Sequence, residues 1–395
     1  MNVSAHRAFS FLRTYGYERV SCSKEERTVA EALLRVTSPY VKEYEVTGYE
    51  RAASTPEGGL DTEFLYVENA DEVLLEQAKG KIVLVNGYLN RATYEKLRKA
   101  EAAAILTFTG RTIDRESESD LNRCKLRETL TEPFGAVPVL NMRAASAAEI
   151  VRRGAKTVHI ELIGECYDGT SQNVCATIPG TDKPSEVITL GGHYDSVYFS
   201  SGVHDNLSGS VIVLELLRYF AAHPPRRTLR FCWFGSEEQG LLGSKAYVKA
   251  HADELKDCVA MLNFDVAAPT LGSNHLVTLA TDDALHYVAG VLREAGYGVR
   301  AKQDTYSSDC IPFADNGVPA INLARFGANG ADYMHNRHDS LKSGYLDEHA
   351  LDITLQQGFL LLDRLANAAS FPIKREIAPE IRQKVDEYLF KAKKE

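Results

Sequence analysis

The sequence predicts an α/β protein: a mostly parallel central sheet with helices on both faces, and a second, smaller α/β module inserted near its start. Three observations carry this expectation. From about Cys166 onward, short apolar runs alternate with segments of helical period. A shorter set of the same alternations fills roughly 53–165. The length, 395 residues, exceeds one ordinary domain of roughly 100–200 residues and supplies ample apolar material for more than one core.

Taken in chain order, the stretch up to about Arg51 holds the helical pattern KEERTVAEALLRV and the strand-like VKEYEVTGYE. The turn-forming cluster STPEGG follows and marks a boundary. This places the first part of the main domain at 1–52, the insertion at 53–165 and the rest of the main domain at 166–395. Within the insertion, the apolar GKIVLVNG, AILTFTG, VPVLNM and KTVHIEL read as strands, and YEKLRKAEAAA and ASAAEIVRRG as helices. The polar run TIDRESESDLNRCKLRETLTEP between its halves reads as a long exposed loop. In the last region the expected strands are NVCATIP, VITLGGH, TLRFCWFG, VAMLNFD, HLVTLA and PAINLA, and the expected helices span 207–220, 241–251, 284–295 and 351–368. The Lys-rich end FKAKKE reads as a solvated helix end.

Composition narrows the function. Forty-five Lys and Arg stand against 54 Asp and Glu, a net charge of −9. That balance argues against a nucleic-acid binder, which presents a basic stripe. No apolar run reaches the ~18 residues of a membrane span; VIVLELLRYF already contains Glu215 and Arg218. The start, MNVSAHRAFSFLRTYGYERV, scatters charges where a secretory signal needs an apolar core. The seven cysteines (Cys22, Cys124, Cys166, Cys175, Cys232, Cys258, Cys310) are odd in number and contain no C-x-x-C pair. They fit thiols in a reducing compartment, and a cytoplasmic location is the expectation.

Chemistry concentrates where strands end. In open α/β sheets functional side chains lie just beyond the carboxyl ends of the strands. VITLGG leads to His193 and Asp195, and GVHDNLSGS brings Asp205 to a helix start. TLRFCWFGS leads to Glu237 and Glu238, VAMLNF to Asp265, and ADYMHNRHDS carries His335, His338 and Asp339. Each alone has a bland reading, as a capping acid, a turn residue or a solvated pair. Together they differ, because several acids in one crevice repel one another unless cations compensate them. Imidazole with carboxylate and no thiolate suits zinc, with manganese or cobalt as alternatives. Two imidazoles and three carboxylates over-supply one ion and suit two that share a carboxylate.

GGHYDS, GVHDNLSGS, FGSEEQGLLGS, NFD and HNRHDS, in this order, resemble the zinc aminopeptidase family of clan MH, which includes aminopeptidases Y and S and the glutamate carboxypeptidase relatives. SSDCIPF resembles the same family's S-D-H-x-P-F segment, with Cys310 where His is frequent. The insertion resembles a protease-associated domain. The resemblance implies a zinc exopeptidase fold and two zinc ions: His193 and Asp265 on one, Glu238 and His335 on the other, and Asp205 bridging. It implies that Glu237 is the general base and Asp195 the carboxylate behind His193. Residues i and i+2 of an extended segment share a side, which lets Asp195 reach His193. Relatives often carry Tyr just before the last His; Met334 stands there, and Tyr333, Tyr306 and Tyr198 remain candidates for assisting the oxyanion. His338 and His204 read as non-ligands, and Asp339 as a supporting acid.

The expected activity is hydrolysis of the N-terminal peptide bond, with a peptide as substrate, neither nucleic acid nor membrane as partner, and a homo-oligomer compatible with the sequence. Arg325 and Arg337 keep a carboxypeptidase or dipeptidase open. A single-zinc glutaminyl cyclase and a non-catalytic, receptor-like scaffold are the other readings on the same scaffold. The intact ligand set speaks against the scaffold reading, and with the Glu-Glu pair it favours hydrolysis over cyclisation.

Overall fold

A computed structural model of the chain describes residues 3–37, 41–48, 53–86, 89–113, 126, 128–160, 162, 169–198, 200–330 and 332–391. The chain divides into two compact units, one of residues 1–48 with 169–395, the other of residues 49–168.

The larger unit opens with α1 (Ala5–Tyr15), α2 (Lys24–Thr37) and β1 (Val41–Gly48). Helix α1 buries Ala5, Ala8, Phe9 and Leu12, a single face at helical spacing, and Ser4 Oγ caps it by accepting the Arg7 N–H. That face was hidden by the charges between its members.

The smaller unit follows: β2 (Leu60–Tyr66), α3 (Glu72–Leu75), β3 (Ile82–Leu84), α4 (Arg91–Lys99), β4 (Ala104–Thr109), α5 (Glu128–Phe134), β5 (Val139–Arg143), α6 (Ala144–Arg152) and β6 (Thr157–Ile160). Its sheet runs β5-β4-β3-β2-β6 and is parallel except for β6. Alternate residues enter opposite cores: Val83 and Ile105 lie in one cluster, Ile82, Leu84 and Leu106 in the other. Strand β2 was not anticipated, because LDTEFLY interleaves two acids with its apolar residues; its alternating exposure is that of a strand with one wet face. The expected long loop ends in a helix, α5; residues 114–125, Cys124 among them, and Cys166 lie outside the described residues.

The larger unit then continues with β7 (Gly169–Ile178), β8 (Lys183–His193), α7 (Ser208–Ala222), β9 (Arg227–Phe234), α8 (Leu242–Ala250), β10 (Cys258–Phe264), β11 (Gly272–Leu279), α9 (Asp282–Glu294), β12 (Val299–Gln303), α10 (Cys310–Asp315), β13 (Ala320–Gly327), α11 (Glu348–Asn367) and α12 (Pro379–Tyr388). Its eight strands are ordered β1-β7-β9-β8-β10-β13-β11-β12. The central four, β9-β8-β10-β13, are mutually parallel. The flanks mix directions: β1, β7 and β11 pair antiparallel with their inner neighbours. Pleating divides the core in two. Leu229, Phe231 and Trp233 of β9 join a cluster with residues of α1, α7, α9 and α11; Cys232 and Phe234 join another with residues of α8, α10 and α12. Strand β12 escaped the sequence reading because Arg300 and Lys302 alternate with its inward residues, as suits an edge strand protected from pairing. No described helix is long and apolar enough to cross a membrane.

Candidate metal centre

The parallel quartet explains why distant residues meet. Strands β8, β9, β10 and β13 are adjacent and point the same way, so their carboxyl ends form one rim. His193 is the last residue of β8, and Asp195 lies two beyond it. Glu237 and Glu238 follow β9, Asp265 follows β10 directly, and His335 lies in the segment after β13. Asp205 comes from the chain that connects β8 to α7. All these side chains are buried except His335, which is half exposed.

Two groups of donor atoms form. His193, Asp205 and Asp265 make one; Asp205, Glu238 and His335 make the other. His193 Nε2 lies 3.1 Å from Asp205 Oδ1 and 3.7 Å from Asp265 Oδ1. His335 Nε2 lies 2.8 Å from Asp205 Oδ2 and 3.3 Å from Glu238 Oε1. Asp205 therefore turns one oxygen to each imidazole. Two ligand atoms held tetrahedrally at about 2.0–2.1 Å from zinc stand roughly 3.3 Å apart. The donor spacings match that value, and the donors are the nitrogen and oxygen types that zinc takes. The residues fit divalent ions.

Glu237 belongs to neither group but stands over the first, its Oε2 3.8 Å from His193 Nε2. Asp195 sits on the far side of the imidazole, with Oδ1 3.3 Å from His193 Nδ1. It also accepts the main-chain N–H of Glu237 at 3.0 Å and of Glu238 at 3.2 Å, and the Ser21 hydroxyl at 2.9 Å. Local conformations hold the rim: Ser236 before the acid pair, Val266 after Asp265 and His335 itself have φ of 55°, 67° and 63°. Left-handed backbone in a β-branched residue such as Val266 is costly and persists only where surrounding contacts impose it.

Those contacts centre on Asn206. Its Oδ1 accepts the N–H groups of Gly209 and Val266, and its Nδ2 donates to Phe264 O at 2.8 Å. Helix α7 is thereby tied to the end of β10. Gly209 permits the approach, since a Cβ there would stand 2.1 Å from Phe264 O. Asp339 clamps the other side of Asp205, accepting the N–H of His204 at 2.7 Å and of Asp205 at 3.0 Å.

The electrostatics are those of an acid cluster around two imidazoles. Burial pulls His193 down, but Glu237 and the carboxylates of Asp195, Asp205 and Asp265 outweigh it and hold the imidazole well above its ordinary value. Glu238 does the same for His335, against its burial. Burial raises Asp205, yet hydrogen bonds from both imidazoles bring its carboxyl below the usual range. Burial pushes Glu237 well up, helped by the neighbouring Glu238, Asp309 and Asp265 against His193. The acids around each imidazole favour positive charge on this rim, which is the charge a divalent cation carries.

The remaining candidates fall elsewhere. His204 Nδ1 meets Ala267 O at 2.8 Å, and His338 packs its ring on Tyr333; neither enters a donor group. Arg325 spends its guanidinium on Pro269 O, Thr270 O and Asn274 Oδ1. Tyr333 donates its hydroxyl to Gly330 O. Sequence reasoning missed Arg19, Ser21 and Glu26, all buried. Glu26 Oε1 accepts from Ser171 and Oε2 from the Cys22 N–H, and burial drives its carboxyl up to about 8. Arg19 and Ser21 lie just before α2 and Glu26 in its first turn, and no local pattern in the sequence singles them out.

Residues 173–356, which contain His193, Asp205, Glu237, Glu238, Asp265 and His335, match peptidase family M28. Aminopeptidase YwaD of Bacillus subtilis is 28% identical over 321 residues, covering 78% of this chain and 66% of the relative. Leupeptin-inactivating enzyme 1 of Streptomyces exfoliatus is 36% identical over 190 residues, covering 46% of this chain and 41% of the relative. The chain thus spans less than two thirds of either curated relative. The solved structure of BSAP, a zinc aminopeptidase from Bacillus subtilis, superposes with a TM-score of 0.77 at 20% identity over 95% of this chain and 99% of that one, which shows a shared fold. The resemblance to zinc aminopeptidases read from the sequence holds.

Proposed function

Starting from the match of residues 173–356 to peptidase family M28, we propose that the chain is a metallo-exopeptidase, an aminopeptidase that hydrolyses the N-terminal peptide bond with two zinc ions. The observation that carries this reading is the division of Asp205, Oδ1 toward His193 and Oδ2 toward His335, each with a further carboxylate of its own.

In this reading His193 and Asp265 hold one ion, Glu238 and His335 the other, and Asp205 both. When bound, such a pair supplies Lewis acidity and lowers the pKa of a held water toward about 7. The chain's own residues do the rest. Asp195 Oδ1 faces His193 Nδ1 at 3.3 Å, where it would favour a proton on Nδ1, leaving Nε2 as the ligand atom and raising its basicity. Glu237 takes the proton of the attacking water on its carboxylate and returns it to the leaving amine. The buried acids Glu237 and Asp265 offer a free α-ammonium a complementary charge, whereas Arg325, engaged with main-chain carbonyls and Asn274, is not placed to hold a substrate carboxylate. With Arg325 so engaged, the acids favour reading of the amino terminus, and Arg337 is the arginine on which the carboxypeptidase alternative rests.

The 49–168 unit is read as a protease-associated module that restricts access or mediates association. It supplies none of the seven site residues, and its deletion is expected to change the preferred substrate size while leaving metal content intact.

A panel of aminoacyl amides, N-acetylated peptides and C-terminally blocked peptides tests the assignment. Turnover that needs a free amino terminus and tolerates a blocked carboxyl end is expected; the reverse preference would make the chain a carboxypeptidase. Formation of pyroglutamate from N-terminal glutamine would favour the cyclase.

A further inference from the structure

We infer that Arg19 is a positioning residue of the metal centre, its buried guanidinium setting the path of the chain from His193 to Asp205. The inference deepens the two-ion reading and rests on it.

Arg19 lies between α1 and α2 and is 0% exposed. Its Nε donates to Tyr194 O at 2.8 Å, Nη1 to Ser201 O at 2.6 Å and Nη2 to Gly202 O at 2.7 Å. Nη1 also reaches Tyr15 O and Tyr17 O on its own side. The main chain adds a reciprocal pair: the Arg19 N–H donates to Ser196 Oγ, and the Ser196 N–H to Arg19 O. One side chain therefore holds both ends of the connection, just after His193 and just before Asp205.

These acceptors are all main-chain carbonyls. A buried cation without a carboxylate in direct contact is costly unless nearby charge offsets it. Asp339, Asp195 and Asp205 provide that field, while burial lowers the guanidinium to about 10, which leaves it charged at neutral pH. The same charge eases the crowding of acids on the rim. Lysine cannot replace this arrangement, because the planar fork sends donors in several fixed directions at once. Gly202 belongs to the device: its φ is 53°, and a Cβ there would stand 2.9 Å from Arg19 Nη2 and 2.5 Å from Ser196 Cβ. With Asp339 clamping the N–H groups of His204 and Asp205, the connection is held from two sides.

The test strips wild type, Arg19→Lys and Arg19→Gln with a chelator, then titrates Zn²⁺ against a fluorescent competitor, with thermal melts alongside. Wild type should take up two equivalents. Arg19→Lys should bind its weaker equivalent roughly 10–100-fold less tightly, the usual cost of losing an outer partner. Its kcat should recover in excess zinc, with KM unchanged. If Arg19→Lys does not fold, Arg19→Gln carries the test, since its single amide group cannot reach Tyr194 O and the Ser201 and Gly202 carbonyls together, and it should show the same loss. Wild-type affinity for both equivalents in a folded variant, with only a lower Tm, overturns the inference and makes Arg19 a brace of the fold. A wild type that takes up fewer than two equivalents fails the two-ion reading itself, whatever the variants do.

Discussion

Asp195 accepts the main-chain N–H of Glu237 at 3.0 Å while its same oxygen, Oδ1, faces His193 Nδ1 at 3.3 Å. One carboxylate thus orients an imidazole at the end of β8 and fixes the start of the acid pair beyond β9. The two strands are neighbours in register, with His193 opposite Phe234, which is why so short a side chain can serve both.

Asp195→Asn keeps the shape but removes the charge. It is expected to fold, to bind zinc roughly 10–100-fold more weakly, and to lose activity in proportion. Competition with a calibrated chelator measures the first effect; unchanged affinity would remove Asp195 from the support of His193.

Asp205 and His335 should differ in what they cost. Asp205→Ala removes an oxygen from both donor groups, and elemental analysis should find both equivalents weakened. His335→Ala touches only the group with Glu238, so one equivalent should remain. Equal losses in the two variants would argue against a shared carboxylate.

Asn206→Ala cuts three hydrogen bonds, one to Gly209 of α7 and two to Phe264 and Val266 at the end of β10. Leaving buried donors and acceptors without partners costs about 1–3 kcal/mol each, so chemical denaturation should show a substantial loss of stability. Gly209→Ala should destabilise too, because its Cβ would meet the Phe264 carbonyl rather than a movable side chain.

At the other end of the chain, Asp347 caps α11 by accepting the Ala350 N–H at 2.8 Å. Burial pushes its carboxyl up, but hydrogen bonds from Thr270, Ala350 and His349 outweigh this and hold it below its ordinary value. A group lowered on folding stabilises above its unfolded value of about 3.9 and loses that contribution as pH falls through the native one. Asp347→Ala should therefore cost about 1 kcal/mol at neutral pH. The gap to wild type should close in acid below the ordinary carboxylate range. A gap that persists there would mean that packing, not charge, is lost.

Much of this was legible in the sequence, for a physical reason. A parallel strand buried on both faces reads as an apolar run, and the polar residue that ends it lies on the functional rim; VITLGGH, TLRFCWFG and VAMLNFD announce His193, the acid pair and Asp265 in that way. Elements with a wet face were harder. Strands β2 and β12 carry charges at alternate positions, and helix α1 hides four buried residues among basic ones. Arg19 was invisible because nothing local to RVSCSKEE distinguishes an arginine that spans to main-chain carbonyls some 180 residues away from one that lies in solvent.

The most direct test is anomalous diffraction at the zinc edge from crystals of the zinc-loaded chain. Two peaks are expected, one beside each oxygen of Asp205, the first against His193 and Asp265, the second against Glu238 and His335. A single peak, or peaks away from Asp205, would contradict the account.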